Sequence, residues 1–406
     1  MARYTPTVVI APDSFKGSLS AAEVTTAMAE GVRAMLGPDV TIIERPLADG
    51  GEGTLDALLA NWNAFPCLSE TTDAVGRLRT ARYGISNDAK VGIIEAAEAN
   101  GLPHVSDIPL RPMRADSYGV GIIARNLLDR GVDEIVLCIG GSASNDGGTG
   151  LLAALGARFL GHDGSDVAPG GAGLSHIAAI DDSQLHPRAR RVRWRVATDV
   201  DNPLCGEHGA AAVFGPQKGA TPQNVVDLDA GLEHLARIIA AKTGVDMVER
   251  AGAGAAGGMP ACLVPLLGAE LTPGAQLVTE VVGLRAACEN ADVILTGEGS
   301  FDSQSLRGKV VHGVLEAVPP NFPVVVIAGM VRLSAAEIQA AGVAAAFSIA
   351  RGPSDLPDLI ENSAYLVREA AAQVGGLLNA FRLHSRPTGA TQHDPRSRQP
   401  SLANTR

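Results

Sequence analysis

Four stretches of this chain carry carboxylates, three of them among glycines. They are Ala48-Asp-Gly-Gly-Glu-Gly-Thr54, Ile139-Gly-Gly-Ser-Ala-Ser-Asn-Asp-Gly-Gly-Thr-Gly150, Asp199-Val-Asp-Asn-Pro203 and Thr296-Gly-Glu-Gly-Ser-Phe-Asp302. Any one of them could be a solvated turn. Together, each at the end of an apolar run, they suit one chemistry. Carboxylates beside phosphate-cradling glycines are what Mg²⁺-dependent phosphoryl transfer requires, as oxygen ligands for the cation and as a base for an attacking hydroxyl. Glycine lets backbone N–H groups approach an anion closely, and a glycine turn from strand into helix is a ready anion site. Asp146 in such a turn would repel a bare phosphate, so it points to a metal or a hydroxyl instead. Lysine is scarce, and Lys16, Lys218 and Lys309 sit in glycine-containing loops or helix starts, where an ammonium can offset phosphate charge.

Other chemistries fit less well. Gly252-x-Gly-x-x-Gly257 matches the dinucleotide fingerprint by letter, but Asp246-Met-Val-Glu-Arg250 is too charged to be the buried strand that should precede it. A phosphate-contacting loop or a helix start is the better reading there. No Walker A motif is present, since Val310 follows Gly308-Lys309 where Ser or Thr is needed, and no protein-kinase catalytic loop appears. No Gly-x-Ser-x-Gly partners the histidines. The five cysteines form no C-x-x-C pair, which fits a reduced compartment without a metal framework, and Cys138 reads as a small core residue.

The elements that must position these loops follow from hydropathy. Residues 7–11 and 40–43 read as buried strands, each followed by a polar loop (Asp13 to Ser18, Ala48 to Thr54) and a helix; Ser20 and Glu23 have capping-box spacing. Residues 71–85 alternate like short antiparallel strands about a turn at Gly76. Residues 91–94, 134–139 and 194–198 read as further strands, and 223–241 as a long helix. The β-loop-α pattern returns at 292–296, where the strand is expected to stop before Gly297, and again at 324–328 and 343–349. Two strands at one end and three at the other each fall short of a typical sheet of ~4–6. Joined, they make one doubly wound, Rossmann- or flavodoxin-like parallel sheet. The expected architecture is thus α/β with a discontinuous domain, 1–70 plus 290–383, an inserted α/β domain with a mixed sheet, 71–289, and a disordered Pro-, Arg- and Ser-rich tail, 384–406.

Composition bounds the partners. The 406 residues carry a net charge of −11 and are 46% hydrophobic, 19% charged and 3% aromatic, which argues against nucleic acid and anionic membranes. No export signal and no apolar run near ~18 residues is seen, so a cytoplasmic protein is expected. A homo-oligomer is compatible with the sequence, which says nothing further of assembly.

Seven motifs in order resemble the type-1 family of bacterial glycerate kinases: the four stretches above, together with Ala11-Pro-Asp-Ser-Phe-Lys-Gly-Ser18, Val213-Phe-Gly-Pro-Gln-Lys-Gly-Ala220 and Gly252-Ala-Gly-Ala-Ala-Gly-Gly258. The similarity spans about residues 5–380. It implies phosphorylation of D-glycerate by ATP with Mg²⁺, at the 2-hydroxyl to give 2-phosphoglycerate; the 3-hydroxyl is the alternative. A nicotinamide-dependent oxidoreductase on a hydroxy acid and a non-catalytic two-domain binding protein are the rival classes. On this reading Asp199, Lys16 and Asp49 carry the chemistry, and Asp201 and Glu52 hold the metal. Asp13, Ser14, Gly50, Gly51, Gly140, Gly141, Ser142, Asn145, Asp146, Asn202, Lys218, Gly252, Gly254, Gly297 and Glu298 contact substrate or phosphate, and domain closure excludes water. Ser300 stands where these proteins often carry Arg, and Asp116 where Thr is common.

Overall fold

A computed structural model describes residues 6–384. Its thirteen strands are β1 (Thr7–Ile10), β2 (Thr41–Glu44), β3 (Cys67–Thr72), β4 (Leu78–Ile85), β5 (Val91–Glu95), β6 (Glu134–Cys138), β7 (Arg158–Leu160), β8 (Ala179–Asp181), β9 (Arg193–Ala197), β10 (Glu270–Thr272), β11 (Val293–Phe301), β12 (Val324–Val331) and β13 (Ala345–Ser348). Five of them, from the two ends of the chain, form one wholly parallel sheet in the order β13-β12-β11-β1-β2. Renumbered within the sheet this is the flavodoxin-like order 2-1-3-4-5, whose direction reverses between β1 and β11. The second sheet runs β10-β9-β6-β5-β4-β3, parallel from β10 to β5 and antiparallel at β4 and β3. β7 and β8 make a separate hairpin.

The central strands of both sheets are buried on both faces, and strand alternation shows what covers them. In β1, Val8 and Ile10 pack with Val24, Met28 and Val32 of the helix Ala21–Leu36 and Val367 of the helix Ser363–His384, while Val9 points the other way. In β6, Ile135 and Leu137 face the helices Tyr118–Arg130, Thr149–Ala154, Pro222–Thr243 and Pro260–Leu267. Val136 and Cys138 face instead the core that holds Val9 and Ile294. That core is filled by Leu55, Leu58, Leu277, Val278, Leu284, Val310 and Val314, so one layer of helices serves both sheets. The layers therefore run helix, sheet, shared helix layer, sheet, helix. The helix Ala21–Leu36 starts where expected: Ser20 accepts from Glu23 N–H, the Glu23 carboxylate accepts from Ser20 N–H, and Gly37 at φ 89° ends it.

Two boundaries differ from the sequence reading. β11 does not stop before Gly297 but continues through Phe301, because β12 pairs with it as far as Val331. A domain limit at 70 cuts β3, all of whose pairing is to β4. The segment read as a disordered tail lies, His384 apart, outside the described residues. Among the described residues no helix is long and apolar enough to cross a membrane.

Candidate active site

The carboxyl ends of the two sheets open onto the same cleft. The turn after β2 packs against the ends of β6 and β9, most tightly at Gly50. A Cβ on Gly50, whose φ is +89°, would lie 3.0 Å from Ala197 Cβ, and one on Gly140 3.7 Å from Gly51 Cα. Gly274, first residue of the helix Gly274–Val281, lies under this turn, and a Cβ there would be 1.9 Å from the Asp49 carbonyl oxygen. A cavity of about 500 Å³ results, lined by Asp49, Gly50 and Gly51, by residues 139–142 and 197–200, and by Leu102, Pro103, Phe214, Gln217, Lys218, Ala255 and Ala256. That is the size range of small-molecule and cofactor sites.

Its charged side chains are Asp49, Asp199 and Lys218. Asp49 Oδ1 accepts from Gly51 N–H at 3.0 Å, which shapes the turn. Asp199 Oδ1 accepts from Gly274 N–H at 2.8 Å, an anion at a helix N-terminus. Asp199 is open to solvent, yet the protein crowding its carboxyl raises it to about 6; Gly274 N–H opposes this and the charge of Asp49 adds to it. Lys218 is 3% exposed. Its Nζ donates to Ser144 O at 2.6 Å and Ser142 Oγ at 3.2 Å, and burial pulls the amine down to about 7.

A second acidic group adjoins Asp49 at the point where the parallel sheet reverses. Asp13, just after β1, donates its N–H to Gly297 O at 2.8 Å and accepts from Ser14 N–H at 2.6 Å. Burial, then the charges of Asp49 and Glu298, raise Asp13 to about 7. Glu298 is 6% exposed, its Oε1 has no hydrogen-bond partner, and burial raises it too, with Lys309 opposing. Lys16 is exposed in the same loop, its backbone N 3.7 Å from where a Gly299 Cβ would be.

Other expected contacts fall elsewhere. Asp146 is fully buried and outside the cavity wall; it accepts from Ser117 N–H, Ser117 Oγ, Gly148 N–H and Gly150 N–H at 2.7–3.3 Å. Four donors to one carboxylate fix the starts of the helices Tyr118–Arg130 and Thr149–Ala154, so its role is architectural. Asn145 is also fully buried, with neither amide atom bonded. Gly252 and Gly254 pack on protein backbone: Cβ atoms there would sit 3.3 Å from Val200 O and 2.2 Å from Pro203 O. With no strand between β9 and β10, the dinucleotide reading loses its context. Asn202 Nδ2 is bonded to His208 O at 2.8 Å. Asp201 and Glu52 are exposed and outside the cavity wall, and among the described residues no group of three or more His, Cys, Asp or Glu is arranged to hold a metal. The donor chemistry that does suit Mg²⁺ is the Asp49 and Asp199 pair, since this ion takes one or two carboxylates and fills its shell with water and phosphate oxygens.

Sequence reasoning missed Glu95. It ends the apolar β5, is 6% exposed, and accepts Leu55 N–H at 2.7 Å, capping the helix Thr54–Trp62 that Gly53 leaves without a side-chain cap. Burial raises it to about 7. A charged residue closing a buried run was the available signal.

A cleft formed by strand ends, lined by glycine turns and carrying two carboxylates and one amine, is the small-molecule site expected of an open α/β sheet. The chain belongs to the glycerate kinase family, which it matches over residues 8–379. It is 42% identical to the glycerate kinase of Haemophilus influenzae over 377 residues, covering 93% of this chain and 99% of the relative. It is 41% identical to the glycerate 2-kinase of Escherichia coli over 343 residues, covering 84% and 90%. The fold superposes with a TM-score of 0.86 on a crystal structure described as glycerate kinase 2 from Salmonella typhimurium LT2, 43% identical, covering 94% of this chain and all of that one.

Proposed function

We propose that this protein is a glycerate 2-kinase, which transfers the γ-phosphoryl group of ATP to the 2-hydroxyl of D-glycerate and releases 2-phosphoglycerate and ADP. The observation that carries the reading is the meeting of both sheets' strand ends at one cavity whose wall holds Asp49, Asp199 and Lys218. The choice of the 2-hydroxyl rests on the name of the Escherichia coli relative. In the transfer, the substrate oxygen forms a bond to the γ-phosphorus, the bond to the β-phosphate bridging oxygen breaks, and the hydroxyl proton passes to Asp199. Asp199 is suited to this because Gly274 N–H fixes Oδ1 and leaves Oδ2 free. Asp49 would hold Mg²⁺, with water and phosphate oxygens completing its shell, and the ion when bound would neutralise charge on the phosphates. Lys16, exposed in the loop after β1, would screen the transferring group, and residues 140–142 would offer backbone donors.

The reading includes a cytoplasmic location, which rests on five free cysteines. ADP release coupled to a reporter, with MgATP and D-glycerate, against L-glycerate and no acid, tests it. Turnover with D-glycerate alone supports it. No turnover with either acid sinks it, and NMR of the product separates the 2- from the 3-phosphate.

A further inference from the structure

Lysine 218 is an unusual choice for its position. The residue closes the short turn Pro216–Lys218 and is 3% exposed, yet it lies in the cavity wall. A buried amine is costly unless something compensates its charge. Compensation inside the protein is partial. Two of the three N–H groups of the ammonium are engaged, by Ser144 O and Ser142 Oγ, both neutral acceptors. The charge that acts on it from behind is Asp146, already shared among four donors, with Asp116 beyond. The other packed segments add little: residues 210–214 and 254–258 carry no ionisable side chain, and the 100–105 segment carries His104, held neutral by burial and Arg79. The same cavity wall carries Asp49 and Asp199, neither of which is bonded to Lys218. One N–H is thus left over, with incomplete charge compensation, at the cavity surface.

We propose that Lys218 is the carboxylate receptor of the cleft: its remaining N–H takes an oxygen of the hydroxy acid's carboxylate. This rests on the glycerate reading above. A single point cation matches the one negative charge of such an acid. A triphosphate needs several cations, and Lys218 is the one cationic side chain in this wall. Held at one end by its carboxylate, the acid presents its hydroxyl groups to the rest of the wall, which includes Asp199. The same contact gives selectivity, because a neutral polyol such as glycerol offers nothing to complete the charge.

Proton uptake is the distinctive consequence. With the resting amine near 7, its neutral fraction is 1/(1 + 10^(7 − pH)), so binding that restores an ordinary lysine takes up about 0.9 proton at pH 8 and about 0.1 at pH 6. The test is calorimetric titration of D-glycerate into the full chain saturated with MgADP, in two buffers of different ionisation enthalpy. Uptake rising from pH 6 to pH 8 and lost in Lys218→Met supports the proposal, together with a KM for D-glycerate raised about 10- to 100-fold and a KM for ATP little changed. Uptake that accompanies MgATP instead, with the KM for ATP raised, makes Lys218 a phosphate contact and overturns the proposal. Absence of uptake in a chain that phosphorylates D-glycerate also overturns it and leaves the kinase reading standing. A chain that does not phosphorylate D-glycerate overturns both. The wild-type titrations decide the matter even if Lys218→Met fails to fold.

Discussion

Replacing Asp146 by alanine separates an architectural role from a chemical one. The carboxylate is fully buried and receives Ser117 N–H at 2.8 Å, Ser117 Oγ at 2.7 Å, Gly150 N–H at 3.0 Å and Gly148 N–H at 3.3 Å. The hydroxyl can rotate to another acceptor; the three backbone donors cannot. At about 1–3 kcal/mol for each buried donor left unpaired, their sum is roughly 3–9 kcal/mol, and water entering the vacated space brings the effect towards the lower figure. A loss of about 3 kcal/mol or more is large against a typical total of ~5–15 kcal/mol. Asp146→Asn can keep its carbonyl oxygen where Oδ2 receives three donors. It forfeits the longest bond, to Gly148, and should cost only about 1–2 kcal/mol. Urea unfolding followed by circular dichroism measures both, alongside kcat and KM on the folded fraction. Alanine at 146 with stability within about 0.5 kcal/mol of wild type, but turnover abolished, would refute the architectural assignment and return Asp146 to the substrate.

Four further outcomes are expected. Asp199→Asn keeps an acceptor for Gly274 N–H and so keeps the fold, but removes the proton acceptor, lowering kcat by ~10²-fold or more; Lys16→Ala should lower it by a similar factor without loss of stability, and near-normal turnover removes either residue from the mechanism. Glu95 has a folded value near 7 against an unfolded one near 4.5, so the folded state binds the extra proton between them. Its stabilising effect is complete below about 4.5 and is lost as pH rises through 7; Glu95→Gln should flatten this part of the urea midpoint profile and gain up to roughly 3 kcal/mol relative to wild type at pH 8. Gly274→Ala must push its Cβ away from the Asp49 carbonyl oxygen, 1.9 Å distant, displacing the turn that carries Asp49; a raised KM and a destabilisation of about 1–3 kcal/mol, read from thermal unfolding, are expected.

The parallel sheet was legible because its strands are short apolar runs at the two ends of the chain and neither end suffices alone. Their order follows once β11 inserts beside β1. The shared helix layer was not legible: Leu277 and Val278 look like any amphipathic helix until Val9 and Val136 are seen on either side of them. The candidate site was half legible. Gly50, Gly51, Gly140, Gly141, Ser142, Asp49, Asp199 and Lys218 converge on the cavity, since a glycine turn after a strand is a local signal. What residue type cannot give is direction. Asp146 and Asp199 both follow strands of the mixed sheet, yet one turns inward to hold helix starts and the other outward to the cleft. The glycines of 252–258 are equally rich in the sequence, but the space they clear is filled by residues 144–145 and 202–204.

The shared layer also bears on how the cleft admits a ligand. Closure of two independent domains was the natural expectation from a discontinuous sheet with an insertion. The core between the sheets is instead continuous, with Val9, Ile294 and Val324 of one sheet and Ile93, Val136 and Ala197 of the other enclosing the same set of helical leucines and valines. Parting the sheets would bring these side chains into water at about 1.5–3 kcal/mol each, and even a few of them would consume a stability of ~5–15 kcal/mol. Glu95 adds a tie, since its carboxyl in the mixed sheet holds the helix that begins just after the Asp49 turn. The cheaper motion is in the turns themselves: Lys16, Glu52, Gly140, Gly141 and Asp201 are exposed, and the turns bearing them are anchored by the sheets at their bases.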